Sequence, residues 1–247
     1  MQAIDTALDT AVLIIENGGS TVAANRAFAH VLAGYRKEGV TPVWRLDHVI
    51  VSAPGESVSA TVVRPIATPG INLLRAAEAM ALAERVAHGA IATADLPAAL
   101  DRVKAVPSPY SRWMTVAAAA CAAASFAGMI GGDWGSLGIA VVAVAVGQTL
   151  RSRLQAQKVA VALVTLVCGL LSAFIASAAL RFGYSESVSS TLIASVVYMV
   201  PGLTLINGFI DLYSFKHALV GVERMIHATV LFLLLALAIA FAQTLVL

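Results

Sequence analysis

The chain has 247 residues, of which 59% are hydrophobic and only 12% charged, against roughly 45–50% and about 25% in a soluble domain. The formal charge of +2 is too small to argue for a nucleic-acid partner. Its distribution is more informative: residues 1–111 hold nine basic and ten acidic side chains, net −1, whereas residues 112–247 hold seven and four, net +3, mostly between apolar runs. The two halves are different materials, and the second is built for lipid.

Residues 1–105 read as a cytoplasmic α+β domain. Residues 3–16 have helical periodicity and stop at Gly18-Gly19, the left-handed ending expected of a helix. Ser20 is a suitable N-cap for a second helix running to about Tyr35. Residues 42–53 and 57–65 are β-branched and alternating, with Pro54-Gly55 between them, which predicts a β-hairpin. After Ala67-Thr68-Pro69-Gly70, residues 71–88 form an alanine- and leucine-rich helix, and Thr93 and Asp95 open a shorter one to Val103. Pro107 and Pro109 break the chain in a linker over 106–112.

A helix needs about 20 mostly apolar residues to cross the hydrocarbon, and five segments qualify: about 113–132, 134–150, 159–180, 187–210 and 225–247. The fold class expected is therefore a membrane protein, an N-terminal cytoplasmic α+β domain followed by a five-helix transmembrane bundle (113–247) whose fourth span is broken at Pro201-Gly202. Arg112, Arg151, Arg153, Lys158, Lys216 and Arg224 flank the spans on one side and Arg181 alone lies on the other. That asymmetry puts the N-terminus in the cytoplasm and the C-terminus outside. The N-terminus has neither a basic region nor a short apolar core, so no cleavable signal peptide is expected.

No nucleophile with a base, paired catalytic carboxylates, or Walker, GxGxxG or GxSxG pattern occurs, so no enzyme and no cofactor is expected. Cys121 and Cys168 sit in apolar runs, and His30, His48, His88, His217 and His227 form no metal-ligand pair. The informative span is the fourth. Pro201 cannot donate a backbone hydrogen bond, so the Val197 carbonyl should lose its helical partner, and Gly202 permits a non-helical turn. Transporters build substrate sites around such breaks, although a plain proline kink has the same sequence. Thr204, Asn207 and Asp211 share a face beyond the break, as Thr191, Ser195 and Tyr198 do before it. A carboxylate near bilayer depth is costly and faces a cavity or a partner. Asp211 is thus either a proton carrier or an interfacial acid paired with Lys216. Glu223 and His227 form an i,i+4 pair that suits proton coupling or, alternatively, an interfacial anchor. Trp113 and Trp134 fit aromatic belts, and the alanine run 117–124 with Gly128, Gly138 and Gly147 lets helices approach closely.

Several short motifs recur in one order: Gly18-Gly19-Ser20, the hairpin ending in Arg64, Gly70-Ile71-Asn72-Leu73, Tyr110-Ser111-Arg112-Trp113, Gly131-Gly132-Asp133-Trp134, and the run from Val200 through Asn207 with Asp211. On these residues the chain resembles the threonine/serine exporter family (ThrE) and in size the larger, YjjP-like subunit of its split members. The resemblance implies a secondary exporter of small polar metabolites across the bacterial inner membrane: threonine and serine, or a dicarboxylate such as succinate. It marks Arg64, Gly70 and Asn72 as candidates for substrate or gate contacts in the soluble domain, or for turn formation. Single-chain members carry a second membrane half, so the implied partner is a smaller YjjB-like membrane subunit, or else another copy of this chain. The rival reading is a membrane-embedded metabolite sensor or assembly factor that regulates a partner. No arginine or lysine falls within the expected spans, which leans the substrate toward small amino acids.

Overall fold

A computed structural model describes residues 2–53, 60–67 and 70–246. The chain forms two compact units, Met1–Pro109 with Gly202–Ile226, and Tyr110–Pro201 with His227–Leu247. The first unit therefore takes in a late segment that hydropathy assigns to the spans.

In the first unit, α1 (Gln2–Glu16) and α2 (Thr21–Gly34) form a hairpin. Gly18 ends α1 at φ +98°, and its N–H and that of Gly19 return to the carbonyls of Ile15 and Ile14 at 3.0 and 2.8 Å. Ser20 caps α2 by accepting from Ala23 N at 3.2 Å, as its position predicts. The expected two-stranded hairpin is a three-stranded antiparallel meander, β1 (Pro42–Trp44), β2 (His48–Ala53) and β3 (Ala60–Pro65), in the order β1-β2-β3. The stretch expected as one strand over 42–53 folds back at Arg45, whose N–H donates to the His48 carbonyl at 2.9 Å. The turn expected at Pro54-Gly55 lies outside the described residues, as do Thr68 and Pro69.

Helices α3 (Leu73–Ala87) and α4 (Leu96–Lys104) complete the N-terminal part. Asp95 stands at the α4 N-cap position without a capping hydrogen bond from its side chain. The core joins Ile4, Leu8 and Ile14 of α1 to Phe28 and Val31 of α2, with Val49 and Val51 of the sheet and Leu82 of α3. Val220, from the start of α10 (Ala218–Val246), belongs to the same core. Preceding it, α9 (Gly202–Tyr213) has one buried polar face and an exposed apolar one carrying Ile206, Phe209 and Tyr213.

The second unit is helical: α5 (Arg112–Met129), α6 (Trp134–Ala156), α7 (Val161–Arg181), α8 (Val188–Val196) with a 3-10 turn (Val197–Met199), and the remainder of α10. Small residues let these helices close up. Ala120, Ala123, Ala127, Ala140, Val144 and Ala194 form one cluster, and a Cβ on Gly169 would meet Leu235 and Ala238 at 3.0 and 3.3 Å. Among the described residues α6, α7 and α10 are each long and apolar enough to cross a membrane, and α8 with α9 adds a fourth crossing if the interrupted pair counts as one. Helix α5, which begins on the charged Arg112, is not among them. The second expected span runs past Leu150 to Ala156, so Arg151 and Arg153, expected in a connecting loop, are helical.

Asp133 ties the α6 N-terminus to the α7–α8 connection. Its carboxylate accepts from Ser136 N at 2.7 Å, Ser185 Oγ at 2.7 Å and Glu186 N at 2.8 Å. The Ser136 N–H leads in holding its pKa down at about 2, with Ser185 and Glu186 adding to the effect. An acid held below its ordinary 3.8 supports the fold above that value and stops doing so as pH falls toward about 2. Asp133→Ala should lower the unfolding temperature of the detergent-solubilised protein at neutral pH, and the gap to wild type should narrow between pH 4 and 2 (roughly the interval between the two pKa values); a gap that stays constant with pH would contradict this assignment.

Candidate functional site

The interruption in the fourth apolar segment is local and well satisfied. Helix α8 ends at Val196, the 3-10 turn follows, and Val200 is extended at ψ 127° before Pro201 and the start of α9 at Gly202. The Val197 carbonyl, expected to be orphaned by Pro201, accepts from Val200 N at 3.1 Å instead, because the tighter 3-10 turn supplies a donor one residue earlier. The Tyr198 carbonyl accepts from Arg151 Nη1 of α6 at 2.8 Å. The Tyr198 hydroxyl lies 3.0 Å from Ser172 Oγ and donates to the Cys168 carbonyl at 3.3 Å. Gly147 makes room for this tyrosine, since a Cβ there would collide with its hydroxyl and with Ser172 Oγ.

A cation on α6, one residue past the expected end of the second span at Leu150, thus serves a broken helix inside the second unit. Gln148 is one turn from Arg151 on the same face, and its Oε1 is buried without a hydrogen-bond partner among the described residues. The other hydroxyls expected near the break turn to the backbone: Thr191 Oγ1 donates to Ser187 O at 2.8 Å and Ser195 Oγ to Leu192 O at 2.7 Å.

In the first unit, the polar face of α9 meets the α1–α2 turn. Asn207 Nδ2 donates to the Gly18 carbonyl at 2.9 Å. Asp211, 0% exposed, accepts from Thr21 Oγ1 at 2.8 Å and, more weakly, from Val22 N at 3.4 Å. Its carboxylate therefore sits at the N-terminus of α2, where the helix dipole favours an anion. The counter-ion is Arg224 of α10, 7% exposed, with Nε 3.2 Å from Asp211 Oδ2. That Nε is close enough for an ion pair but makes no aligned hydrogen bond; Arg224 Nη2 reaches Thr21 Oγ1 at 3.4 Å. Lys216, the partner weighed from sequence, is exposed, and Asp211 pairs with Arg224 instead.

Two glycines make the pairing possible. A Cβ on Gly221 would meet Leu212 N at 2.7 Å and Gly208 O at 2.9 Å, and one on Gly208 would meet Met225 Sδ at 3.0 Å. Helices α9 and α10 therefore approach closely enough to bring Arg224 against Asp211. Half-buried His217 lies at the same turn; burial pushes its pKa below the ordinary imidazole value, against the opposing pull of Asp211.

The remaining candidates separate. Thr204 is half-buried outside this network, as are Pro201 and Gly202 at the break. Glu223 does not pair with His227 but with Arg45 Nη2 at 2.6 Å, and it accepts from Leu46 N at 3.0 Å. His227 is exposed. Arg64 and the pair Gly70 and Asn72 engage opposite ends of α1. Arg64 reaches Asp5 at 3.0 Å and Asp9 at 3.3 Å. Gly70 N donates to Glu16 O at 2.8 Å and Asn72 N to Asn17 O at 3.2 Å, while the Asn72 side chain caps α3 by accepting from Arg75 N at 3.1 Å. Sequence reasoning missed Thr21, Arg151 and Arg224. In the sequence the two arginines read only as charges flanking spans, and the signal that bears on Arg224 is the close-approach pair Gly208 and Gly221.

The model of the ThrE family, described as "Putative threonine/serine exporter", matches residues 5–246. A Mycobacterium tuberculosis protein named "Probable threonine/serine exporter" is 26% identical over 135 residues, 54% of this chain and 26% of that protein. The chain thus aligns with only about a quarter of that relative's length. A Klebsiella aerogenes protein named "Probable succinate transporter subunit YjjP" is 20% identical over 238 residues, 96% of this chain and 91% of that protein. No solved structure matches.

Removing one partner of a buried ion pair strands the other charge, at a cost of about 3–5 kcal/mol. Asp211→Asn and Arg224→Met should each destabilise the purified protein to about that extent, and the double variant by clearly less than their sum. Thermal unfolding of all four proteins in one detergent checks this, and strict additivity would show that the pair is not coupled.

Proposed function

The chain belongs to the threonine/serine exporter family, and from that premise we propose that it is a subunit of an ion-gradient-driven secondary exporter of small polar metabolites in a bacterial cytoplasmic membrane. The observation that carries this reading is the Asp211–Arg224 pair, buried within the first unit on the segment that follows the interruption of the fourth apolar stretch. Ionisable groups in or next to membrane segments pair with one another and mark ion pathways and proton relays. Protonating Asp211 would weaken its attraction to Arg224 and its hold on the Thr21 hydroxyl, releasing α9 from the α1–α2 turn. The absence of a nucleotide-binding motif in these 247 residues supports a gradient as the energy source.

In this reading α5, α6, α7, α8 with α9, and α10 make five crossings, and the excess of basic residues on one side places the N-terminus in the cytoplasm. The substrate groups are proposed to meet the break in the second unit. There the Arg151 guanidinium suits a carboxylate and the unpartnered Gln148 Oε1 suits a donor. The relatives' names supply two substrate classes, hydroxyl amino acids and succinate, and both carry a carboxylate. One of those names is that of a transporter subunit, which supports a partner: a smaller YjjB-like membrane protein, or otherwise a second copy of this chain.

Proteoliposomes loaded with labelled threonine, serine or succinate test the proposal, with this chain alone and with a co-reconstituted small subunit. The expected result is efflux of at least one substrate that rises with an imposed pH gradient and collapses with a protonophore. Flux of the same size in protein-free liposomes, for all three compounds and both preparations, would sink it.

A further inference from the structure

We infer that the first unit carries a second ligand site, a groove that takes a small zwitterion with free ammonium and carboxylate groups. The groove has a volume of about 550 Å³ and runs between the C-terminal half of α1, the start of α3 and the end of α4, within the range of about 300–1,000 Å³ usual for small-molecule sites. Its walls carry two acids, Asp9 and Glu16, and two bases, Arg75 and Lys104, over an apolar floor of Val12 and Leu13.

Neighbours engage half of these groups, Asp9 sharing the single cation Arg64 with Asp5. Asp9 lies 3.3 Å from Arg64 Nε, and Lys104 Nζ is 2.9 Å from Asp101. Glu16 and Arg75 remain, and neither forms an ion pair among the described residues. Glu16 Oε1 accepts from Ala67 N at 2.9 Å, which leaves the rest of the carboxylate available. Arg75 is clamped in place: its Nε and Nη2 donate to the Val106 carbonyl at 3.1 and 2.7 Å, and Nη1 reaches Asn17 Oδ1 at 3.4 Å. Asn17 is itself fixed by donating to Leu13 O at 2.8 Å. A guanidinium has five N–H donors, so this clamp orients the fork and leaves donors to spare.

A held cation and a held anion in one groove match the two charges of an amino acid. A dianion would meet Glu16 and the partly offset Asp9 as well as Arg75 and be penalised by like-charge repulsion. The inference deepens the exporter reading and rests on it for the choice of probes. It places amino-acid recognition on the N-terminal unit, apart from the break at Pro201.

Hydrogen exchange of the full chain in lipid nanodiscs, read by mass spectrometry, tests it with L-threonine, succinate and N-acetyl-L-threonine, which lacks the ammonium. Threonine should slow exchange in peptides covering residues 9–17 and 70–76, and the other two compounds should not. Glu16→Gln keeps an acceptor for Ala67 N but removes the charge, and should weaken threonine binding about tenfold or more. If that variant does not fold, the ligand series decides alone. No protection in these peptides with threonine, equal protection by succinate, or wild-type affinity in Glu16→Gln overturns the inference. Flux measured on the same protein separates the two claims. Flux without groove protection leaves the exporter and removes this site, whereas protection without flux leaves the site and removes the exporter.

Discussion

A carboxylate with no exposed surface must find compensating charge and hydrogen bonds, and Asp211 organises the first unit by finding them in two distant parts of the sequence. Thr21 and the start of α2 lie about 190 residues before it, while Arg224 is on the next helix. The bond from Asn207 to the Gly18 carbonyl reinforces the same junction. Burial of this kind is costly unless every group is paired, so α9 has one way to seat its polar face. A segment that hydropathy alone assigns to the membrane is thereby held against the α1–α2 turn, with its apolar side exposed.

The second unit solves a related problem with different parts. Breaking a helix in an apolar setting exposes carbonyls that water cannot reach. The 3-10 turn recovers the Val197 carbonyl, and Arg151 takes the Tyr198 carbonyl. A half-buried cation on an otherwise apolar helix is conspicuous, and here it stands one turn from a buried amide oxygen with no hydrogen-bond partner among the described residues. The same guanidinium chemistry suits a substrate carboxylate, which is why the break rather than the apolar helix surfaces is the proposed transport site.

Glycines recur wherever these polar arrangements need proximity. Gly18 adopts φ +98°, a conformation other residues rarely take, and so delivers its carbonyl to Asn207. Gly208 and Gly221 let α9 and α10 touch, and Gly147 accepts the Tyr198 ring. Close backbone approach and buried polar pairing are one design in this chain, and losing the first would undo the second.

The sequence by itself determined what is local and periodic: the ending of α1 at Gly18, the Ser20 cap, the long apolar helices, and the interruption at Pro201. Each depends on residues within a turn or two of one another, where propensity and hydropathy act directly. It also put Asn207 and Asp211 on one face, since helical spacing alone fixes that. The tertiary structure decided what that face meets. The exchange of Lys216 for Arg224 as the partner of Asp211, of His227 for Arg45 as the partner of Glu223, and the fold-back that splits one expected strand into β1 and β2 all rest on long-range packing. Side chains far apart in sequence carry no periodic signal of their meeting, so charge pairing emerges only once backbone approach and burial remove the alternatives that water would offer.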